Sequence, residues 1–465
     1  MCDKTKNIKV KKNILLLVTI TLLASCVSKK EKIPFKKGEF KTWAKTPPMG
    51  WNSWDCYGPT VEEHEVKANA DYMAENLKEF GWEYIVVDIR WFVENDKAGG
   101  YNQTDPRYVL DEYGRYLPAV NRFPSAKDGK GFTELANYIH QKGLKFGIHI
   151  MRGIPKIAVE NKLAIKGTDG ITADQIYTTE NQCEWLKDNY TIVAGKEGAQ
   201  AYYNSIFELY AAWGVDFIKI DDLSAPIYHK DEIEMIRKAI DNCGRPIVLS
   251  TSPGPTPIDA AKHVSNNANM WRMVNDVWDS WWHIQNLFKV SEKWYGYNNA
   301  GTWPDCDMIP LGRLSIRGER GEDRMSHLTK EEQYTLMTLF TIFKSPLFFG
   351  GDLPSNDAFT QSLITNKEVL KMHSESTDVR LLFQQDGKAA ITSKNKTTGE
   401  TYLALFNISE TDTLEITVNL ADLSLTGNVK VTNMWTGEEM GESKNLITQN
   451  IAAHASGLYK INELK

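Results

Sequence analysis

Acidic side chains recur at the ends of short apolar segments along this chain of 465 residues. Asp88, Asp221, Asp276 and Asp307 each stand at such an end, and tryptophans lie close to several of them in the sequence. Two carboxylates can cleave a glycosidic bond, because one attacks the anomeric carbon or guides water while the other protonates the leaving oxygen. An Asp after a strand can instead cap the next helix, but that explanation is weak for a whole set. The pattern therefore indicates glycoside cleavage.

The apolar segments that carry these carboxylates alternate with amphipathic stretches. Stretches such as 62–80 and 199–213 place apolar residues three and four positions apart and are followed by glycine, as helices are. Eight strands separated by helices predict a (β/α)8 barrel, in which functional residues lie at the carboxyl ends of the strands. A doubly wound sheet is the alternative, but no Gly-x-Gly-x-x-Gly loop follows any strand. The predicted strands are 49–54, 84–91, 145–150, 216–221, 246–252, 269–275, 301–308 and 346–351.

The pattern changes after about residue 374. Short alternating segments separated by turn sequences follow, which is typical of an all-β module. The sequence therefore predicts a barrel over 46–374 and a C-terminal antiparallel β-sandwich domain over 375–465.

The N-terminus has the layout of a secretory signal. Lysines between positions 4 and 12 precede an apolar stretch, 14–24, that is too short to span a bilayer. It ends in Leu23-Ala24-Ser25-Cys26, which resembles a bacterial lipobox and implies a signal peptide over 1–25, with lipid on Cys26. An ordinary signal with a chance cysteine is the alternative. With a polar tether over 26–45, the prediction is a protein of the bacterial cell envelope that a lipid anchor alone holds at the membrane.

Composition narrows the classes of partner. The net charge of −6 argues against nucleic acid, since phosphate binding needs clustered Lys and Arg. Fourteen Trp and 19 Tyr offer flat rings that suit a carbohydrate substrate, although most such rings belong to the core. Beyond Cys26, the four remaining cysteines (Cys56, Cys183, Cys243, Cys306) form no Cys-x-x-Cys pair, so no metal site and no cofactor are predicted. No disulfide is predicted either, and the oligomeric state stays open.

Five ordered segments resemble glycoside hydrolase family 27, the α-galactosidases and their relatives. They are 46–54, 213–221, 271–281, 303–308 and 345–353. The resemblance implies a (β/α)8 barrel followed by a C-terminal antiparallel β-domain. It also implies that Asp221 is the nucleophile and Asp276 the general acid/base, without a cofactor.

The same resemblance implies several sugar contacts. Arg272 matches a ligand of sugar hydroxyls, Trp51 a stacking platform, Asp88 a carboxylate that grips the distal hydroxyls, and Asp307 the acidic residue of strand seven. Lys219 lies two residues before Asp221, so both side chains leave the same face of a strand. There it could keep Asp221 ionised and hold a sugar hydroxyl, or form an ordinary ion pair with Asp221.

The sequence departs from the family pattern near the sugar. α-Galactosidases usually carry two successive Asp where this chain has Asp88-Ile89, and Ile89 cannot hydrogen-bond a hydroxymethyl group. Family members that cleave β-L-arabinopyranosides, which lack that group, are similar in having an apolar residue here. Ser252 is small, which predicts a roomier pocket near the 2-position of the sugar.

Three basic residues stand at or beside predicted strand ends. Arg90, His149 and Arg152 could bind an anionic substituent, or they could neutralise Asp88, Asp221 or Asp222.

Three functions remain open at this point. The preferred one is a retaining α-galactosidase-like exo-glycosidase acting on extracellular glycans. A β-L-arabinopyranosidase of the same family is the alternative, and a non-catalytic carbohydrate-binding lipoprotein is a further one. The presence of both Asp221 and Asp276 favours catalysis.

Overall fold

Parallel strands form the centre of the larger domain in a computed structural model that describes residues 34–464. All neighbouring pairs are parallel, in the order β7-β6-β5-β4-β3-β2-β1-β8. Nearly every strand residue is buried, as expected for a sheet covered on both faces. The strands are β1 (Met49–Asn52), β2 (Tyr84–Val87), β3 (Lys145–Met151), β4 (Phe217–Asp221), β5 (Val248–Thr251), β6 (Met270–Arg272), β7 (Trp303–Asp305, continued by Met308–Ile309) and β8 (Leu347–Phe349).

Strand β7 closes the sheet on itself. Its first part pairs with β6, and its continuation pairs with β8, so the two edges of the sheet share one short stretch of chain. Between the two parts, Asp307 has a φ of 84°, in the left-handed region, and its amide donates to Asp305 Oδ1 at 2.9 Å. The predicted barrel is confirmed, and each predicted strand overlaps an observed one.

Helices cover the outside of the barrel. In α5, buried residues recur along one face, and Gly214 ends the helix with a φ of 88°. The helices are α1 (Trp54–Tyr57), α2 (Glu63–Asn76), α3 (Thr133–Gln141), α4 (Lys156–Glu160), α5 (Ala199–Trp213), α6 (Lys230–Asn242), α7 (Ala261–Val264), α8 (Trp281–Ser291), α9 (Lys330–Phe343), α10 (Ala358–Ile364) and α11 (Lys367–Glu375). Within residues 34–464, no helix is long and apolar enough to cross a membrane.

Three long excursions leave the carboxyl ends of the strands. Residues 88–123 follow β2, and residues 152–198 follow β3 and contain a small antiparallel sheet of Ile154–Pro155, Tyr177–Thr178 and Asn189–Ile192. A hairpin of Arg313–Leu314 and Arg324–Met325 follows β7. These loops therefore surround the end of the barrel where function is expected.

The described part of the predicted tether is packed against the barrel. Residues 39–42 form a 3-10 turn in which Phe40 is buried, and the Arg237 guanidinium lies 4.8 Å from the centre of its ring. The Phe40 carbonyl accepts a hydrogen bond from Asn269 Nδ2 at 2.9 Å. The tether prediction is therefore wrong from residue 34 onward, because the lysines around Phe40 hid an aromatic residue that packs against the barrel. The signal peptide and Cys26 lie outside the described residues and remain predictions.

Beyond α11, the C-terminal domain is antiparallel, as predicted. Six strands form one sheet in the order β9-β10-β11-β16-β13-β14, and β12 pairs with β15. The strands are β9 (Thr377–Gln385), β10 (Lys388–Lys394), β11 (Thr401–Asn407), β12 (Leu414–Asn419), β13 (Val429–Asn433), β14 (Glu439–Ser443), β15 (Leu446–Ile451) and β16 (Ser456–Glu463).

The two domains meet along α8 and α9. The Thr335 hydroxyl donates to the His454 carbonyl at 2.7 Å, and the Trp435 indole donates to Thr338 Oγ1 at 2.9 Å. The Trp281 ring stacks on the His454 ring with centres 3.9 Å apart. These contacts fix the β-domain against the side of the barrel.

Candidate active site

A cavity of about 570 Å³ opens where the barrel strands end. The residues that line it become more buried with depth. The inner residues, here called the floor, are largely buried and polar: Asp88, His149, Lys219, Asp221 and Ser252. The outer residues, here called the rim, are more exposed: Tyr101, Glu184, Trp185, Glu319 and Arg320. A small polar molecule could thus enter end-on, with one part buried and the other near solvent.

The structure brings five of the predicted site residues to the cavity wall. They are Asp88, Lys219, Asp221, Ser252 and Asp276. The other four, Trp51, Ile89, Arg272 and Asp307, are buried beside or beneath the wall rather than on it.

Trp51 is not placed to stack on a ligand. Its ring is fully buried, and its indole N–H donates to the Gly351 carbonyl at 2.8 Å. The ring on the cavity wall belongs to Trp54, which begins α1 just beyond the end of β1. The stacking prediction for Trp51 is therefore corrected. The position of Trp54 in the sequence could have indicated this, since functional residues of a barrel lie past the strand ends.

Asp221 ends β4 and faces the cavity with one oxygen unused. Its Oδ1 atom is buried and has no hydrogen-bond partner among the described residues. Lys219, two residues earlier, pairs with Asp88 Oδ2 at 3.3 Å instead of with Asp221. Burial lowers the pKa of Lys219, but Asp88 first, and Asp307 and Asp221 after it, more than offset this, so its pKa is raised. Lys219 thus stays charged and acts on Asp221 through space.

Asp88 accepts hydrogen bonds at both oxygens. Asn52 Nδ2 donates to Oδ2 at 2.8 Å, and the Ile89 amide donates to Oδ1 at 2.9 Å. His149 Nδ1 lies 2.5 Å from Oδ1. Burial alone would raise the pKa of Asp88, but His149 and Lys219 outweigh it and hold this pKa well below its usual value. Asp88 therefore presents an ionised, preorganised edge to the cavity.

His149 is a floor residue whose role the sequence left open. Its Nδ1 atom is engaged by Asp88, and its Nε2 atom is buried without a hydrogen-bond partner among the described residues. The other two basic residues pair elsewhere. Arg152 pairs with Asp222 at 2.8 Å and with Glu232 at 2.7 Å, and Arg90 pairs with Asp188 at 2.9 Å. Neutralisation of carboxylates is thus what the structure supports for all three, and Asp188 and Glu232 were unforeseen partners.

Arg272 holds two carboxylates together. Its Nη2 donates to Asp276 Oδ1 at 2.9 Å, and its Nη1 lies 2.5 Å from Asp307 Oδ1. Burial raises the pKa of Asp307 to about 7 against the pull of Arg272, and the charge of Asp276 adds to the rise. For Asp276 the balance is reversed, because Arg272 and then Lys219 outweigh burial and lower its pKa. Below about pH 7 the pair therefore holds one proton, and this proton resides on Asp307.

Known proteins share this chain's sequence pattern and fold. The family model described as α-galactosidase A matches residues 46–158 and 185–375. The model of the α-galactosidase C-terminal β-sandwich domain matches residues 386–461. The chain belongs to glycoside hydrolase family 27. It is an O-glycosyl hydrolase by that membership, and the resemblance drawn from the five sequence segments is confirmed.

Individual family 27 members are similar over most of the chain. A GH27 β-L-arabinopyranosidase from Geobacillus stearothermophilus, solved with arabinose, is 49% identical with a TM-score of 0.90, covering 92% of this chain and 99% of that one. A Bacillus halodurans structure provisionally described as an α-N-acetylgalactosaminidase is 43% identical with a TM-score of 0.82, covering 90% and 97%. α-Galactosidase A of Cellvibrio japonicus is 27% identical, covering 74% of this chain and 71% of its own.

Two tryptophans three residues apart allow a direct test of the cavity. Trp54→Leu removes an aromatic face from the wall and should raise KM about tenfold, the size expected for one aromatic contact together with its buried area. Trp51→Phe keeps most of the ring but breaks the bond to Gly351. It should lower the free energy of unfolding by about 1–3 kcal/mol and leave KM nearly unchanged. Steady-state kinetics and urea denaturation measure both effects, and a larger KM change for Trp51→Phe would contradict this assignment.

Proposed function

We propose that this family 27 hydrolase is a retaining exo-glycosidase that releases terminal β-L-arabinopyranose from glycans. The observation that supports this most is the 49% identity to a β-L-arabinopyranosidase over nearly the whole of both chains. The apolar Ile89 beside Asp88 supports it independently. This choice reverses the preference for α-galactosidase that the sequence alone suggested.

Asp221 is the proposed nucleophile. Its unpartnered Oδ1 leaves a lone pair free to attack the anomeric carbon, and Lys219 keeps positive charge near it. Attack forms the bond from carbon to Asp221 oxygen and breaks the bond to the leaving oxygen. Water then displaces Asp221 from the same face that the leaving group left, so the sugar is released with its original anomeric configuration.

Asp276 is the proposed general acid and base. Its side chain is 39% exposed, more than any floor carboxylate, which suits a group that meets the leaving oxygen and then water. In the first step the proton of the pair passes from Asp307 to Asp276 and from there to the leaving oxygen, and in the second step Asp276 takes a proton from the attacking water. Because the resting proton lies on Asp307, the two carboxyls and Arg272 act as one titrating unit.

The two roles predict different losses. Asp276→Ala should lower kcat on substrates with poor leaving groups by about 10²–10⁴, since acid assistance is worth that much, yet spare dinitrophenyl glycosides. Asp221→Ala should be inactive on all of them. The exposed Asp323→Asn, which loses only a surface pair with Arg313, is the control and should keep full activity. NMR of the first-formed anomer must show retention, and net inversion would refute the mechanism.

The shared proton predicts a pH effect. In the wild type, Asp307 carries the raised pKa of the pair, so the unit holds its proton up to about pH 7. In Asp307→Asn, Asp276 faces Arg272 without a second carboxylate, and its pKa should fall. The alkaline limb of kcat/KM should therefore move to lower pH by roughly one unit or more. A dinitrophenyl glycoside, which needs no acid, should show no such movement, and an unmoved limb on poor leaving groups would argue against a shared proton.

Ile89 is the proposed specificity residue. Its backbone amide donates to Asp88, so its side chain lies at the same end of β2 as a floor carboxylate. The side chain is apolar and is buried beside the cavity wall. A hydroxymethyl group that pointed from the floor toward position 89 would find no hydrogen-bond partner there. L-Arabinopyranose has no hydroxymethyl group and loses nothing there. An unmade hydrogen bond to a charged group costs roughly 1.5–3 kcal/mol, on the order of ten- to a hundredfold in kcat/KM.

Substitution at position 89 should change the choice of sugar. Ile89→Asp should shift the ratio of kcat/KM values toward the α-galactoside by about tenfold or more, measured against the β-L-arabinopyranoside. Ile89→Val keeps the apolar character and should leave that ratio unchanged. Ile89→Asn supplies a neutral polar group in case a second carboxylate beside Asp88 prevents folding. If no polar variant shifts the ratio, Ile89 does not set specificity.

α-Galactosidase activity is the second candidate. It is favoured by the curated relative from Cellvibrio japonicus, at lower identity. The wild-type ratio of activities on the two nitrophenyl glycosides decides between them. Hydrolysis of either would exclude a purely carbohydrate-binding role.

A further inference from the structure

Two loops from different strands meet at the rim of the cavity. Tyr101 comes from the excursion after β2, and Trp185 from the excursion after β3. Gln103 joins the loops, since its Nε2 donates to the Trp185 carbonyl at 3.0 Å and its Oε1 accepts from the Lys187 amide at 3.2 Å. The two aromatic side chains are thus carried by segments that are held to each other.

A single buried guanidinium, Arg90, fastens both loops. Its Nε and Nη2 each donate to one oxygen of Asp188 at 2.9 Å, which is a bidentate pair. Its Nη1 lies 3.2 Å from both oxygens of Asp96 and donates to the Asn102 carbonyl at 3.1 Å. One cation therefore bridges a carboxylate from each loop. We call Arg90, Asp96 and Asp188 the clamp.

The clamp also supports the ring of Tyr101. The Arg90 guanidinium lies 5.5 Å from the centre of that ring, and the Tyr101 ring packs 5.6 Å from the ring of Trp54. Tyr101 lines the same cavity as the floor residues Asp88 and Asp221, whose charges add to the rise that burial causes in its pKa. Tyr101 therefore marks the border between floor and rim.

The position of Asp276 indicates which end of the cavity takes the terminal sugar and which takes the leaving group. The terminal sugar must lie between Asp221 and Asp276, and the leaving oxygen must lie at Asp276. What is attached to that oxygen then extends toward the exposed rim. The rim offers a partly exposed indole, two carboxylates and one guanidinium, from Trp185, Glu184, Glu319 and Arg320.

We propose that the rim is a leaving-group subsite for a second, neutral sugar ring, with Trp185 as its stacking surface and the clamp as the device that positions it. This rests on the proposed function, because it assumes the direction in which the substrate enters. Hydroxyl groups of a sugar can replace the water around the rim carboxylates, whereas an apolar aglycone would displace that water without offering donors and an anionic one would be repelled by the two carboxylates. The family model leaves residues 159–184 unmatched, so Glu184 lies just outside the part of the barrel that this model describes.

A pair of substrates isolates the rim. A β-L-arabinopyranosyl fluoride occupies only the floor, whereas a disaccharide with the same terminal sugar occupies floor and rim. Trp185→Ala should lower kcat/KM on the disaccharide by about tenfold and leave the fluoride within about twofold. Trp282→Ala removes a 65% exposed tryptophan on α8 that is not part of the cavity wall, and it should change neither. Equal losses on both substrates, or none on the disaccharide, would overturn the subsite.

Arg90→Lys tests the clamp. Lysine keeps the charge but cannot bridge two carboxylates with parallel hydrogen bonds. KM for the disaccharide should rise at least about fivefold while kcat on the fluoride is kept, since loop position and not chemistry is disturbed. A general loss of structure would lower kcat/KM on both substrates together, and that result would contradict a positioning role.

Calorimetry separates this proposal from the proposed function. In the inactive Asp221→Ala variant, the disaccharide should bind more tightly than the free monosaccharide, and adding Trp185→Ala should abolish the difference. If the wild type hydrolyses neither the arabinosyl nor the galactosyl fluoride but this difference persists, the proposed function fails and the subsite stands. If hydrolysis occurs and the difference is absent, the subsite fails alone.

Discussion

Charged groups at the carboxyl end of this barrel are buried, and each stays ionised only while an opposite charge or a donor lies against it. Asp88 is held by His149 and Lys219, and the buried guanidinium of Arg272 is held by Asp276 and Asp307. Removing one partner from such a pair leaves a buried charge uncompensated, which costs several kcal/mol. The floor is therefore an interlocked set in which each side chain fixes its neighbour. The parallel strands make this possible by bringing all of these side chains to one edge.

The same pairing explains which carboxylate is left to react. Asp88 uses both oxygens in hydrogen bonds and is suited to hold hydroxyl groups in place. Asp276 and Asp307 both pair with Arg272, and their pKa values are shifted in opposite directions. Asp221 keeps an oxygen without a partner, close to the charge of Lys219 but not bonded to it. Nucleophile, acid and sugar ligand thus differ in their surroundings although all are aspartates.

Sequence patterns predicted the barrel and the residues at its strand ends because both follow from local periodicity. Side chains that close parallel strands must share an edge, so Asp88, Asp221 and Asp276 could be grouped without a structure. The pairing among them could not be predicted. Lys219 was expected to face Asp221 but pairs with Asp88, from a neighbouring part of the sheet. Trp51 and Trp54 stand in one motif, and the sequence does not show where β1 ends. Trp51 lies within the strand and is buried, whereas Trp54 lies beyond its end and lines the cavity.

Arg90 is the clearest example of contacts that sequence patterns cannot predict. In the sequence it stands two residues after Asp88, and it could be read as the neutraliser of a floor carboxylate. Its partners are instead six and 98 residues away, on loops whose course no periodicity specifies. The floor is thus built by strands and the rim by loops, with one guanidinium fastening the loops. Substitutions in the loops can alter what surrounds the leaving group without disturbing the charge pairs beneath, so the two parts of the cavity can change independently.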